Sequence, residues 1–165
     1  MKKYEFTGET KEIRLLFRTA TLHRIRATVA FGIVEVGDLG GWIEKEENLS
    51  HEGKAWVWGN AEVCGDAEVW GNAEVWGNAE VFSASHVLVI GAIGSRNDFT
   101  TFYRDKDNEI TVKCGCFLGK IDRFLEKVTQ THGDSKYALV YRAAVEVAKL
   151  QIDLSGEAPK DADEE

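Results

Sequence analysis

Proline is almost missing from this 165-residue sequence. Pro159 is the only one, so turns fall to the 16 glycines and to asparagine. Cysteine is scarce as well. Cys64, Cys114 and Cys116 are an odd set that cannot all pair within one chain, and neighbours spaced C-x-C rarely bridge each other. Reduced thiols in a cytoplasm are expected. No run approaches the ~18 apolar residues of a membrane span, and Met1-Lys2-Lys3-Tyr4-Glu5-Phe6 lacks the apolar stretch of a secretion signal. Neither a membrane association nor export is expected. With 44% hydrophobic and 29% charged residues, the composition excludes a disordered or collagen-like chain and predicts a globular one.

Positive charge is also in short supply, with 20 Lys and Arg against 28 Asp and Glu for a net charge of -8. The imbalance is local. Residues 152–165 carry -5 and residues 53–82 carry -4, whereas residues 1–52 carry -1 and residues 83–151 carry +2. An acidic protein of this kind is not expected to bind nucleic acid directly, but its mildly basic stretch could hold a small anion. The end of the chain, Ser155 to Glu165, reads as a solvated, disordered tail.

What the chain has in abundance is a repeat. From Gly53 it runs GKAWVW, GNAEVC, GDAEVW, GNAEVW, GNAEVF to Phe82, flanked by the degenerate hexads ENLSHE at 47–52 and SASHVL at 83–88. Each unit alternates over four residues and then turns at Gly-Asn or Gly-Asp. Ala and Val therefore share one face, and Glu and the aromatic share the other. Corners this frequent cannot form an ordinary hairpin array; they predict a coil of three short strands per turn, in which residues 18 apart stack. Trp58 would lie beneath Trp76, and Cys64 beneath Phe82. The stretch resembles the hexapeptide-repeat proteins, and the resemblance implies a short left-handed parallel β-helix. The expected fold is mainly β, with an N-terminal β cap at 1–46, the repeat at 47–88, a C-terminal α+β module at 89–152 and an acidic disordered tail at 153–165.

Trp58, Trp70, Trp76 and Phe82 would face outwards along this coil. Aromatics in such a column mark a covered surface, supplied either by flanking segments or by other subunits. A homotrimer packed through these residues is the expected solution, as the resemblance to hexapeptide-repeat proteins implies. Glu62 and Glu80 would stack as like charges unless a cation answers them.

The order Leu22-His23-Arg24-Ile25-Arg26-Ala27, GDLGGWIEKEENLS and GNAxV hexads resembles a group of bacterial and phage hexapeptide-repeat proteins that carry transferase names. Further on, Gly94-Ser95-Arg96, Cys114-Gly115-Cys116-Phe117 and Thr131-His132-Gly133-Asp134 resemble the C-terminal module of small phage and prophage proteins. There Val87–Ile90, Thr100–Arg104 and Ile110–Lys113 read as strands. Ile121, Phe124, Leu125 and Val128 read as one helix stopped by Gly133, and Tyr137 to Ala148 as a second, capped by Asp134 or Ser135.

Three functions compete. An acyltransferase using coenzyme A, which the repeat resemblance implies, would need a general base, and His86 is the candidate. A surface pair with Glu68 explains the same histidine. A structural or assembly protein would use the repeat tryptophans as its contact. The preferred reading is a non-enzymatic binding protein. Gly91 to Asn97 offers backbone amides, the Ser95 hydroxyl and the Arg96 guanidinium, the parts that hold a phosphate or carboxylate. Thr131 and His132 could form a second wall, and Phe99, Phe102 or Tyr103 could stack a base. The phage resemblance suggests a counter-defence role in a host-cell cytoplasm, by sequestering a small nucleotide-like anion or blocking a host defence protein. No cofactor is expected. No metal is expected either, since Cys114, Cys116 and His132 lack a fourth ligand.

Overall fold

The computed structural model of the chain describes residues 1–155 together with 160–161. Residues 156–159 and 162–165, the larger part of the tail expected to be disordered, lie outside the described residues. The chain begins with a hairpin of two long strands, β1 (Tyr4–Arg14) and β2 (Thr19–Ala27), and β3 (Leu39–Ile43) extends it antiparallel to β2. The hexads follow with strands of only two residues: β4 (Trp56–Val57), β5 (Glu62–Val63), β6 (Glu74–Val75) and β7 (Glu80–Val81). β3, β5 and β7 pair in parallel, as do β4 and β6. The C-terminal half has a second sheet of β8 (Val87–Ile93), β9 (Asp98–Arg104), β10 (Ile110–Cys114) and β11 (Phe117–Lys120), all antiparallel. Helices α1 (Ile121–His132) and α2 (Lys136–Gln151) pack on it. Finally β12 (Lys160–Asp161) pairs with the end of β1.

This architecture corrects the expected fold class. The chain is a mixed α/β protein with a mixed sheet, a two-stranded sheet and an antiparallel four-stranded sheet, rather than a left-handed parallel β-helix with caps. The physical reason lies in the strand lengths. A corner every six residues leaves two residues per strand, enough among the hexads alone only for the two-stranded sheet of β4 and β6. The long hairpin β1–β2 and β3 therefore supply most of the first sheet, and their antiparallel pairing makes it mixed.

Within the hexads the alternation does set the interior. Ala61, Ala67, Ala73 and Ala79 with Val57, Val63, Val69, Val75 and Val81 are all buried in one cluster. Residues 18 apart pair in register, Trp56 with Glu74 and Glu62 with Glu80, and the levels are joined by backbone hydrogen bonds: the Trp58 amide donates to the Val75 carbonyl at 2.8 Å and the Cys64 amide to Val81 at 2.9 Å. The corner glycines hold positive φ, and at Gly65 a Cβ would meet the Phe82 carbonyl oxygen at 2.5 Å. Only glycine lets the successive levels approach this closely. Asn48, wholly buried, closes one end: its Nδ2 donates to the carbonyls of Ala67 at 2.9 Å and Gly65 at 3.1 Å, and its Oδ1 accepts from the Lys45 amide at 2.9 Å. Lys3 is buried nearby and donates to the Ala55 carbonyl at 2.6 Å. Burial brings its pKa down to about 8.

Strand β9 is the seam of the molecule. Its alternation sends Phe102 into the core shared with the helices and Tyr103 into the core of the hexads. Among the described residues, no helix is long and apolar enough to cross a membrane.

Candidate functional site

The helical module has a cavity of about 150 Å³, walled by the β8–β9 loop, the β10–β11 turn, α1 and one residue of α2. Three local features build it. The loop Ile93 to Asp98 turns at Gly94, whose φ is +76°, and at Asn97, whose φ is +51°. A Cβ on Gly94 would lie 1.8 Å from the Tyr141 hydroxyl, so a glycine is needed for the loop to rest on this ring. The two-residue turn Gly115-Cys116 joins β10 to β11, and the Lys113 ammonium donates to the Gly115 carbonyl. Helix α1 directs Phe124, Lys127, Val128, Thr131 and His132 at the cavity, the i, i+3, i+4 spacing of one helical face.

The cavity is apolar at its base and cationic at its mouth. Phe124 stands edge-on to Tyr141 at 5.7 Å between centroids and tilted against Phe117 at 5.4 Å, with Val128 beside them. Burial raises the Tyr141 pKa, the adjacent Cys114 thiol adds to the rise, and hydrogen bonding with Ser95 opposes it. Around the mouth are Arg96, Lys127, Ser95, Thr131 and Cys116, all exposed, with His132 half-buried and stacked on Tyr141 at 5.7 Å. Arg96 reaches over Gly115, where a Cβ would lie 2.9 Å from its Nη1. Neither Arg96 nor Lys127 has an ion-pair partner among the described residues, although Asp98 lines the same cavity. Two cations without ion-pair partners, in a cavity also lined by aromatic rings, favour an anion with an apolar body.

Ser95, Arg96, Thr131 and His132, separated by some 35 positions in the sequence, thus line a single cavity. Phe102 and Tyr103 do not join them. Both are buried: Phe102 is edge-on to Phe124 at 6.4 Å beneath the cavity, and Tyr103 donates to the Trp76 carbonyl at 3.2 Å. β9 is covered on both sides, so neither ring is free to stack a ligand. Phe99, at the cavity wall, is the aromatic from this strand that reaches it. Sequence reasoning missed Lys127, Phe117 and Tyr141. Lys127 lies one helical turn before Thr131, and that spacing was the signal available.

His86 does not offer a free base. Its Nδ1 accepts from the Phe82 amide at 3.1 Å, and burial, with Arg104 nearby, lowers its pKa to about 4. Asp66 holds the adjacent turn by accepting from the Ala84 amide at 2.8 Å, so this corner is tied to the hexad below it through Asp66 and not through Glu68. A histidine that is neutral and engaged at neutral pH suits a structural role.

The outward aromatics of the repeat are covered largely from within the chain. Trp58 and Trp76 stack at 4.2 Å and 6°, with the Lys113 ammonium 5.6 Å from the Trp76 ring. Phe82 packs against Ile13, Leu22, Trp42 and Cys64, and the Arg104 guanidinium lies over it at 5.0 Å. Trp70 stays 48% exposed beside Phe99. Lys11 answers Glu62 at 2.6 Å, which offsets its pairing with Glu80. Cys64 is buried, and desolvation pushes its thiol up to about 12.

A second, polar recess near Trp76 and Tyr103 is already satisfied. Asp105 accepts from Lys120 at 2.6 Å, Thr111 at 2.7 Å and two backbone amides; burial opposes its ionisation, but these bonds hold its carboxyl below the usual range. Among the described residues, no three His, Cys, Asp or Glu side chains are grouped to hold a metal ion. The chain matches no protein-family model and no curated protein at a significant level, so what it does must be argued from the cavity itself.

Proposed function

We propose that the protein is a binding protein for a small organic anion, a phosphate or carboxylate on an apolar or aromatic body, held in the cavity between the β8–β9 loop and α1. The observation that carries this reading is the pairing of two uncommitted cations, Arg96 and Lys127, with a floor of Phe117, Phe124 and Tyr141. Ser95 and Thr131 add hydroxyl donors at the mouth. A nucleotide-like ligand has both parts, an anionic group and a flat ring. In the host-cell cytoplasm suggested by the phage resemblance, such a protein works by sequestering its ligand, and no bond is made or broken.

Phenyl phosphate combines the two parts in one simple probe. Isothermal titration calorimetry should detect it more strongly than inorganic phosphate or benzyl alcohol, each of which offers one part alone. A charge-assisted hydrogen bond contributes about 1.5–3 kcal/mol, so Arg96→Ala should weaken binding about tenfold or more. Unchanged affinity in Arg96→Ala would sink the proposal, as would equal affinity for all three probes.

A further inference from the structure

Two cations and one acid line the cavity, and among the described residues none of the three is in an ion pair. The acid is Asp98, the first residue of β9, which sits opposite Ile93 and closes the loop that carries Arg96. Alternation along β9 puts Asp98 on the side of the sheet shared by Thr100 and Phe102, the side that faces the helices. Asn97, at positive φ, turns the chain between Arg96 and Asp98. The Asp98 Oδ1 accepts from the Phe99 amide at 2.7 Å, and among the described residues its Oδ2 has no hydrogen-bond partner. Other cations of the same module sit on acids: Lys113 on Glu74 at 3.6 Å, Lys120 on Asp105 at 2.6 Å and Arg142 on Asp134 at 3.6 Å. Around the cavity, charges of both signs are left facing the space between them.

We infer, building on the anion site proposed above, that Asp98 sets the specificity of this cavity and that its ligand is an aromatic anion which also carries a protonated amine. An ionised carboxylate accepts hydrogen bonds and donates none. Towards a plain anion Asp98 is a like charge and costs affinity, whereas towards an ammonium group it is a partner. It therefore separates two ligands that share one anionic group and one ring, by penalising the first and rewarding the second. The formal charges of Arg96, Lys127 and Asp98 sum to +1. A phosphate ester of about −2 overshoots that charge, and the same ester bearing one ammonium matches it. A ligand hydroxyl could supply a hydrogen bond to Asp98, but it would leave the charge of the carboxylate unanswered, and charge-assisted bonds are the stronger class.

Isothermal titration calorimetry on the full chain tests this with two probes of matched size, 4-ethylphenyl phosphate and 4-(2-aminoethyl)phenyl phosphate. The wild type should bind the amine about fivefold more tightly or better. Asp98→Asn keeps an oxygen for the Phe99 amide, and Asp98 is exposed, so the thermal midpoint should not move. The variant should lose the preference from both ends, binding the amine more weakly than the wild type and the ethyl compound at least as tightly. A merely structural role for Asp98 would weaken both probes alike, and that result would overturn the inference. So would equal affinity of the wild type for the two probes, or a preference for the amine that survives Asp98→Asn; in both cases the anion site itself would stand. Binding of neither probe by the wild type would remove the anion site, and the role of Asp98 with it.

Discussion

Gly94→Ala should be among the more damaging single-methyl additions in this protein, and its magnitude can be worked against an internal control. Gly77 also has positive φ, +55°, but nothing lies within 4 Å of where its Cβ would be. Gly77→Ala therefore carries the backbone term alone, roughly 1–2 kcal/mol, reduced by about 0.4–1 kcal/mol because alanine restricts the unfolded chain. At Gly94 the φ of +76° carries a similar term, but the new Cβ would also lie 1.8 Å from the Tyr141 hydroxyl and 2.2 Å from its Cζ. Tyr141 has little room to withdraw, being edge-on to Phe124 and stacked on His132. Overpacking of this kind costs about 1–3 kcal/mol, so the two variants should differ by about 2 kcal/mol. For a domain of this size that is a difference of about 4–8 °C in thermal midpoint. Urea denaturation reads the energies, and titration with phenyl phosphate shows whether Gly94→Ala also deforms the cavity while Gly77→Ala leaves it intact. Equal destabilisation by the two substitutions would refute the reasoning, because it would mean that the loop does not rest on Tyr141.

Other consequences follow from groups whose partners are fixed. Asn48→Ala leaves two buried carbonyls and the Lys45 amide without their partner, and should cost about 2–4 kcal/mol by urea denaturation; a loss below about 0.5 kcal/mol would contradict the plug assigned to it. His86, with a folded pKa of about 4 against an ordinary 6.5, binds fewer protons folded than unfolded between those values. Its contribution to stability is complete above about pH 6.5 and falls away as the pH drops towards about 4. In an NMR titration its ring should stay neutral at pH 5.5, and an ordinary midpoint near 6.5 would show that it is not buried in this way.

The hexads were legible because their chemistry is local. Alternation of Ala and Val against Glu and aromatic residues fixes which side is buried, and the Ala and Val columns are buried throughout. The fold class was not legible from them. Strands β1 to β3 join the repeat through pairings between distant segments, such as Trp42 with Glu62, and their antiparallel order makes the sheet mixed. In the second half the strand reading stopped at Lys113, whereas Cys114-Gly115-Cys116-Phe117 is the tight turn that creates β11. The cavity was legible where a loop carries its own signature, in Ser95 and Arg96, and where a helix ends, in Thr131 and His132. Phe102 and Tyr103 could not be placed from alternation, because period two cannot tell a half-exposed strand from β9, which separates two cores.

The most direct test of the binding site is a 15N–1H correlation spectrum titrated with phenyl phosphate. The account predicts that amides of Ser95, Arg96, Gly115, Cys116 and the α1 residues Lys127 to His132 move together along one saturating curve, and that Lys127→Ala flattens it. Shifts confined to the polar recess of Asp105 and Lys120, or no shifts at all, would contradict the claim that this cavity is the binding site.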